Sequence, residues 1–171
     1  LMFERADQGS LYDLLRVADP PTWPVRASLL RNVANGMAAL HAHLPVPIVH
    51  CDLKSPNVLI CSTGGGPVAK ISDFGIAHTL ATTTVGKTQT KGKGSSPWMS
   101  PEVYDGHYSE VSDVWAFGML VYEVVTRKLP YEGIGPAQVM KRVLKEPLIE
   151  PDSTLIETGC PPLLLDAMHT C

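Results

Sequence analysis

The sequence predicts a mainly helical domain that surrounds a small β-hairpin platform. Segments with apolar residues at helical spacing dominate the chain, and a glycine-rich turn at 64–66 joins two short strand-like runs at 58–61 and 68–72. Apolar residues make up 44% of the 171 residues, which is enough to build a hydrophobic core. We therefore expect one domain, or a large part of one, over residues 1–171.

Two helices are predicted in the first third of the chain. Residues 1–3 are apolar and indicate the end of a buried strand. Ser10 is suited to cap a short helix that has Asp13 in its first turn. A second helix is expected to start at 22–24, with a proline in its first turn, and to run to about residue 45. Apolar side chains recur along it at helical spacing: Leu29, Val33, Met37, Leu40 and Leu44.

The rest of the chain is predicted to contain a short strand, the hairpin, a long loop and three more helices. Residues 48–49 form a short apolar strand-like run. Between residues 81 and 96 the composition shifts to Thr, Gly and Lys, which is typical of a functional or mobile loop. Residues 111–126 are apolar nearly all round, so this helix is expected to be central and buried. Further helices are predicted to begin at residues 135 and 163.

Charge, hydropathy and cysteine content argue against a nucleic-acid surface, a membrane segment and a disulfide framework. The net charge is −3 with both signs scattered, and no basic run indicates a nucleic-acid surface. The longest apolar stretch, 114–125, is interrupted by Glu123 and is too short to span a bilayer, so we expect no membrane segment in this chain. The four cysteines form no CxxC pair, which favours free thiols in a reducing compartment. We therefore expect a cytoplasmic protein or the cytoplasmic domain of a larger one.

Polar residues at 50–57 have the composition of a catalytic loop. Asp52 is a carboxylate that could accept a hydroxyl proton, and Lys54 is a positive charge fit to neutralise a phosphoryl oxygen. Asn57 offers an amide oxygen, a hard ligand suited to Mg²⁺, and Asp73 adds a second carboxylate 16 residues later. Phosphoryl transfer needs positioned oxygens, metal and positive charge from the protein, and these residues supply them.

The order of these motifs resembles the protein-kinase signature set. The motifs are H-x-D-L-K-x-x-N at 50–57, D-F-G at 73–75 and S-P-E at 100–102. The segment at 112–118 is similar to the start of the family's central helix, and the segment at 9–11 is similar to the stretch after its ATP hinge. The phrases K-S-P-N-V-L and W-M-S-P-E look most like the tyrosine-kinase-like group. The fold that the resemblance implies is the helical C-terminal lobe of a kinase.

The resemblance also implies roles for individual residues. Asp52 would be the catalytic base and Lys54 would contact the γ-phosphate of ATP. Asn57 and Asp73 would hold Mg²⁺. Asp113 would anchor the backbone of the catalytic loop.

On the adenine side, the resemblance places Glu4 and Ala6 on the hinge, where backbone groups contact the adenine ring of ATP. Leu59 would close the underside of the adenine pocket. His50 and Phe74 would pack in the stack that aligns the D-F-G segment.

The chain departs from the family pattern in two respects. It shows no Gly-rich phosphate loop, no strand lysine and no helix glutamate to pair with it. All three lie upstream of position 1 in the family, so we expect the N-terminal lobe to be absent, the isolated chain to be inactive, and the missing lobe of the same kinase to be its partner. Cys51 stands where the family carries an arginine beside the catalytic aspartate.

The function that the resemblance implies is transfer of the γ-phosphoryl group of ATP to Ser or Thr of a protein substrate. Lys54 and Ser95 match the pattern of serine/threonine kinases. The alternative is a pseudokinase or kinase-like scaffold that binds protein partners without catalysis. A zinc site formed by His41, His43, His50 and Cys51 is a weaker alternative, because the kinase stack accounts for His50.

Overall fold

The computed structural model describes residues 6–73, 78–79, 97–145, 151, 153–154 and 156–171. The helices in these residues are α1 (Leu11–Leu14), α2 (Trp23–His41), α3 (Glu110–Thr126), α4 (Pro136–Lys145) and α5 (Pro162–Thr170). The strands are β1 (Ile48–Val49), β2 (Val58–Thr63), β3 (Gly66–Ile71) and β4 (His78–Thr79). Two 3₁₀ turns lie at Ser55–Asn57 and Pro101–Asp105. The predicted class, mainly helical with a small hairpin platform, is confirmed.

A capping box explains where helix α1 begins, and a proline explains where helix α2 ends. The Ser10 hydroxyl accepts a hydrogen bond from the Asp13 N–H (3.2 Å), and the Asp13 carboxylate accepts one from the Ser10 N–H (3.0 Å), which is a capping box. The Ser10 hydroxyl also donates to the Asp13 carboxylate (2.6 Å), and this bond, followed by the one from the Ser10 N–H, lowers the pKa of Asp13. Helix α2 follows Thr22 and ends at His41, earlier than the predicted residue 45, because Pro45 has no N–H to donate to the carbonyl of His41 and so cannot continue the helix.

The hairpin forms the predicted platform beneath helix α2. Strands β2 and β3 pair antiparallel from Val58 opposite Ile71 to Thr63 opposite Gly66. Strand β1 forms the second antiparallel pair, with β4. Helix α2 approaches β3 so closely that a Cβ atom added to Gly36 would lie 2.9 Å from Cδ1 of Ile71. A larger residue at position 36 would therefore require the Ile71 side chain to shift where the helix crosses the hairpin.

Helix α3 is the centre of the fold, as its apolar sequence predicts. Leu120 and Val125 are fully buried, and the helix packs against α2 and α5. At Gly118 an added Cβ atom would lie 2.8 Å from Cβ of Cys171, so α3 and α5 approach each other closely at this point. Helix α4 packs against the 101–105 turn. No helix in the described ranges is both long enough and apolar enough to cross a membrane.

Two arginines and one glutamate tie the ends of α2 and α3 to the segment before α5. Arg26, which is buried, donates to the carbonyl of Val124 (3.2 Å) and to Oε2 of Glu157 (2.6 Å). Arg127, just after α3, donates to the carbonyl of Leu15 (2.8 Å) and to Oε1 of Glu157 (3.1 Å). Burial alone would raise the pKa of Glu157, but the two guanidinium groups outweigh it and lower that pKa.

We expect Glu157→Gln to lower the free energy of unfolding by about 1–2 kcal/mol at pH 7, because both arginines lose a charged acceptor. The folded-state pKa of Glu157 is lowered, so its stabilisation is present above the unfolded pKa and is lost as the pH falls through the folded value. Urea unfolding at a series of pH values measures this difference.

The matched control is Glu132→Gln, which removes the exposed pair that Glu132 forms with Lys128 (3.7 Å). It should change the free energy of unfolding by less than about 0.5 kcal/mol. Equal effects of the two substitutions at pH 7 would contradict the role of Glu157.

Candidate active site

The catalytic segment is held by a buried carboxylate in the first turn of α3. Oδ2 of Asp113 accepts the N–H of His50 (2.8 Å), and Oδ1 accepts the N–H of Cys51 (3.0 Å). The Nε2 atom of His41 lies 2.8 Å from the same Oδ2. Asp113 is 2% exposed, so these bonds lie in a region of low dielectric. The resemblance predicts this anchor, whereas the contribution of His41 was not predicted.

His50 joins the catalytic segment to the end of the hairpin. Its side chain is fully buried, and its Nδ1 accepts the N–H of Asp52 (3.3 Å). With Nδ1 acting as acceptor, Nε2 carries the proton that is donated to the carbonyl of Ser72 (3.0 Å). The ring therefore fixes the distance between Asp52 and the residue that precedes Asp73.

The side chains of Lys54 and Asn57 converge on the carboxylate of Asp52. Lys54 Nζ lies 2.7 Å from Oδ2 of Asp52, and the side-chain amide of Asn57 donates to the same Oδ2 (3.0 Å) and to the Asp52 carbonyl (2.8 Å). Oδ1 of Asp52 makes no hydrogen bond within the described ranges. The Asp52 side chain is 24% exposed, so a carboxylate oxygen remains accessible from solvent.

Hydrogen bonds from Ser72 place the residue before Asp73 against the backbone of Asn57. The N–H and the hydroxyl of Ser72 both donate to the Asn57 carbonyl, at 2.9 and 3.0 Å. Asp73 follows directly, is exposed, and has a left-handed backbone with φ of 63°. The side-chain nitrogen of Asn57 is engaged by Asp52, which leaves its amide oxygen for a cation. The amide oxygen of Asn57 and the carboxylate of Asp73 are both oxygen ligands of the kind that Mg²⁺ prefers.

Of the residues predicted for the adenine side, Leu59 lies in strand β2 and Ala6 precedes a segment that runs beside this strand. Gln8 donates its N–H to the carbonyl of Ile60 (3.1 Å), and Ile60 donates its own to the carbonyl of Gly9 (2.9 Å). The chain after Ala6 therefore runs beside β2, and Leu59 is half-buried at this junction. The other hinge residue, Glu4, lies outside the described residues.

Several further predicted residues also lie outside the described ranges. They are the strand at 1–3, the stack residue Phe74, the loop at 81–96 and its Ser95. No group of three His, Cys, Asp or Glu side chains in the described ranges is placed to hold a metal ion.

Sequence reasoning missed the buried pair beneath this site. Glu123 of α3 is fully buried and accepts hydrogen bonds from Ser55 and Arg16. A lone charged residue inside an otherwise apolar helix was the available signal, because such a residue is rarely buried without a partner. The sequence pattern does not indicate which residues those partners are.

Comparison with known families agrees with this geometry. The model of the protein tyrosine and serine/threonine kinase family matches residues 1–171. The chain belongs to this family, and its relatives place it in the tyrosine-kinase-like group.

Three relatives show the extent of the match. Mitogen-activated protein kinase kinase kinase 7 of Homo sapiens is 40% identical over 139 residues, which cover 79% of this chain and 22% of that protein. The protein of the same name in Drosophila melanogaster is 33% identical over 178 residues, covering 100% of this chain and 24% of that protein. Cyclic GMP-binding protein C of Dictyostelium discoideum is 34% identical over 175 residues, covering 100% of this chain and 6% of that protein. The chain thus spans less than a quarter of the length of these relatives.

Proposed function

We propose that the protein containing this chain transfers the γ-phosphoryl group of ATP to hydroxyl groups of protein substrates. The observation that supports it most directly is the convergence of Lys54 and Asn57 on the carboxylate of Asp52. A scaffold without catalysis would not need a carboxylate held by two side chains with one oxygen left accessible.

The proposed base is Asp52. Lys54 and Asn57 fix its Oδ2, so that Oδ1 is oriented to accept the proton of a substrate hydroxyl. Lys54 is 28% exposed and is also able to reach a phosphoryl oxygen, where its positive charge would stabilise the negative charge of the transferring group. Positioning and charge are the main contributions that a protein makes to this reaction.

Asn57 and Asp73 are the residues that would hold Mg²⁺, through the amide oxygen and the carboxylate. Bound Mg²⁺ supplies positive charge against the phosphates of ATP. Ala6, Leu59 and, from the resemblance, Glu4 are the proposed contacts of adenine.

The four cysteines form no disulfide, which supports a reducing location, and we propose the cytoplasm.

The proposed acceptors are Ser and Thr. Lys54, two residues after the proposed base, supports this assignment. Ser95 is the second residue that matches the pattern of serine/threonine kinases. Two of the relatives are named mitogen-activated protein kinase kinase kinases, which agrees with a role in signal transduction.

We expect Asp52→Asn in the full-length protein to lower kcat at least about 100-fold, because the proton acceptor is lost. Nucleotide affinity should stay nearly unchanged. Asp73→Asn should abolish turnover and also weaken binding of Mg-ATP, because it removes a charged ligand. Transfer of radiolabelled phosphate and nucleotide titration measure the two effects separately.

The control for both is Asp105→Asn, since this carboxylate is exposed on the 101–105 turn. It should leave kcat unchanged. A wild-type rate in Asp52→Asn would show that the base is assigned wrongly, and an unmodified protein without transfer would favour the scaffold.

We expect a library of peptides to be labelled on Ser and Thr and not on Tyr. Phosphoamino-acid analysis after transfer distinguishes the acceptors. Labelling confined to Tyr would show that the specificity assigned from Lys54 is wrong.

A further inference from the structure

Glu123 is a buried carboxylate that the proposed chemistry does not use. Its side chain is 0% exposed in the middle of the protein core. Oε1 accepts hydrogen bonds from Arg16 (2.9 Å) and from the Ser55 hydroxyl (2.8 Å). Oε2 is buried without a hydrogen bond of good geometry, and so is the indole nitrogen of Trp98.

This arrangement is a weak source of stability. Burial raises the pKa of Glu123, although the hydrogen bonds from Ser55 and Arg16, and a smaller contribution from the Trp98 indole, act in the opposite direction. The desolvation of a buried charge often costs as much as its ion pair gains, and here only Glu123 is fully buried while Arg16 is 27% exposed, so the pair adds little to stability. A role in placing other groups explains the carboxylate better than a contribution to stability.

The group that Glu123 places is the turn that carries the catalytic side chains. Ser55 is fully buried and lies between Lys54 and Asn57. The N–H of Asn57 donates to the carbonyl of Lys54 (2.9 Å) and closes the turn. The hydroxyl of Ser55 is therefore the bond through which this turn is attached to helix α3.

Arg16 is itself positioned to neutralise the carboxylate. Its NH1 donates to the carbonyl of Tyr12 (2.9 Å), and its guanidinium lies 3.6 Å from the centre of the Tyr12 ring. Helix α1 also packs against the 55–57 turn. The counter-charge is thus supplied by a residue that follows shortly after α1, the helix that contacts the turn being positioned.

We propose that Glu123 is a positioning residue for phosphoryl transfer, which through Ser55 holds the turn carrying Lys54 and Asn57, with Arg16 as its counter-charge. The proposal rests on the proposed function of the same site. Glu123 touches none of the reacting groups, so it acts on kcat through the placement of Lys54 and Asn57. A displacement of about 1 Å in such groups is enough to lower turnover by orders of magnitude.

The first test compares Ser55→Ala with Thr126→Val in the full-length protein. Both remove one buried hydroxyl, since Thr126 on the same helix donates to the Tyr122 carbonyl (2.8 Å) without contacting the catalytic turn. Both should lower the midpoint of urea unfolding to a similar extent. Only Ser55→Ala should lower kcat, by about tenfold, with KM for ATP within about twofold of wild type.

The second test distinguishes the negative charge of Glu123 from its role as a hydrogen-bond acceptor for Ser55. Glu123→Gln keeps an oxygen for Ser55 and should retain kcat within about threefold, whereas Glu123→Met should lose about as much as Ser55→Ala. The double variant Ser55→Ala with Glu123→Met should be no slower than the slower single variant, because both remove one interaction.

The possible outcomes separate the positioning role from the proposed function. Wild-type kcat in Ser55→Ala, an equal fall of kcat in Thr126→Val, or additive losses in the double variant would overturn the positioning role alone. An unmodified protein that transfers no phosphate would overturn the proposed function and this inference with it. All rates are measured at a temperature where circular dichroism shows each variant to be fully folded.

Discussion

The structure depends on one buried carboxylate, that of Asp113. It accepts the backbone N–H groups of His50 and Cys51, which otherwise would be desolvated without a partner. Cys51 adopts a left-handed backbone with φ of 68°, which costs a residue with a side chain about 1–2 kcal/mol. Hydrogen bonds to a charged acceptor contribute about 1.5–3 kcal/mol each, so Asp113 offsets this cost and fixes an otherwise unfavourable bend. This bend determines the direction in which the side chain of the next residue, Asp52, leaves the backbone.

The catalytic segment, residues 50–57, is consequently attached to helix α3 at two places. Asp113 holds its start at His50 and Cys51, and Glu123 holds Ser55 further along. The hairpin supplies a third attachment through the Ser72 carbonyl and the His50 ring. A short segment with little regular structure is thereby placed by the most buried helix of the protein, which explains how a loop can hold the proposed catalytic groups at fixed distances.

Sequence reasoning predicted the elements better than it predicted the contacts between them. The hairpin could be predicted because glycines at 64–66 separate two apolar runs, and α3 because it is apolar nearly all round. The roles of Asp52, Lys54 and Asn57 were assigned through their motif, whereas the hydrogen bonds among these three residues were not predicted. The contact of His41 with Asp113 spans 72 positions, and that of Ser55 with Glu123 spans 68, so no local pattern contains either. Such pairs are determined by how helices pack, which single residues do not reveal.

The central claim, that Asp113 holds the backbone of the catalytic loop, is tested most directly by amide hydrogen exchange in the native protein. The amides of His50 and Cys51 should exchange as slowly as those in the core of α3, although they lie outside any helix, because both are bonded to a buried carboxylate. In Asp113→Asn, where one acceptor becomes a donor, exchange at one or both amides should accelerate at least about tenfold. Exchange of both amides in the wild-type protein as fast as that of exposed Leu44 would contradict the claim.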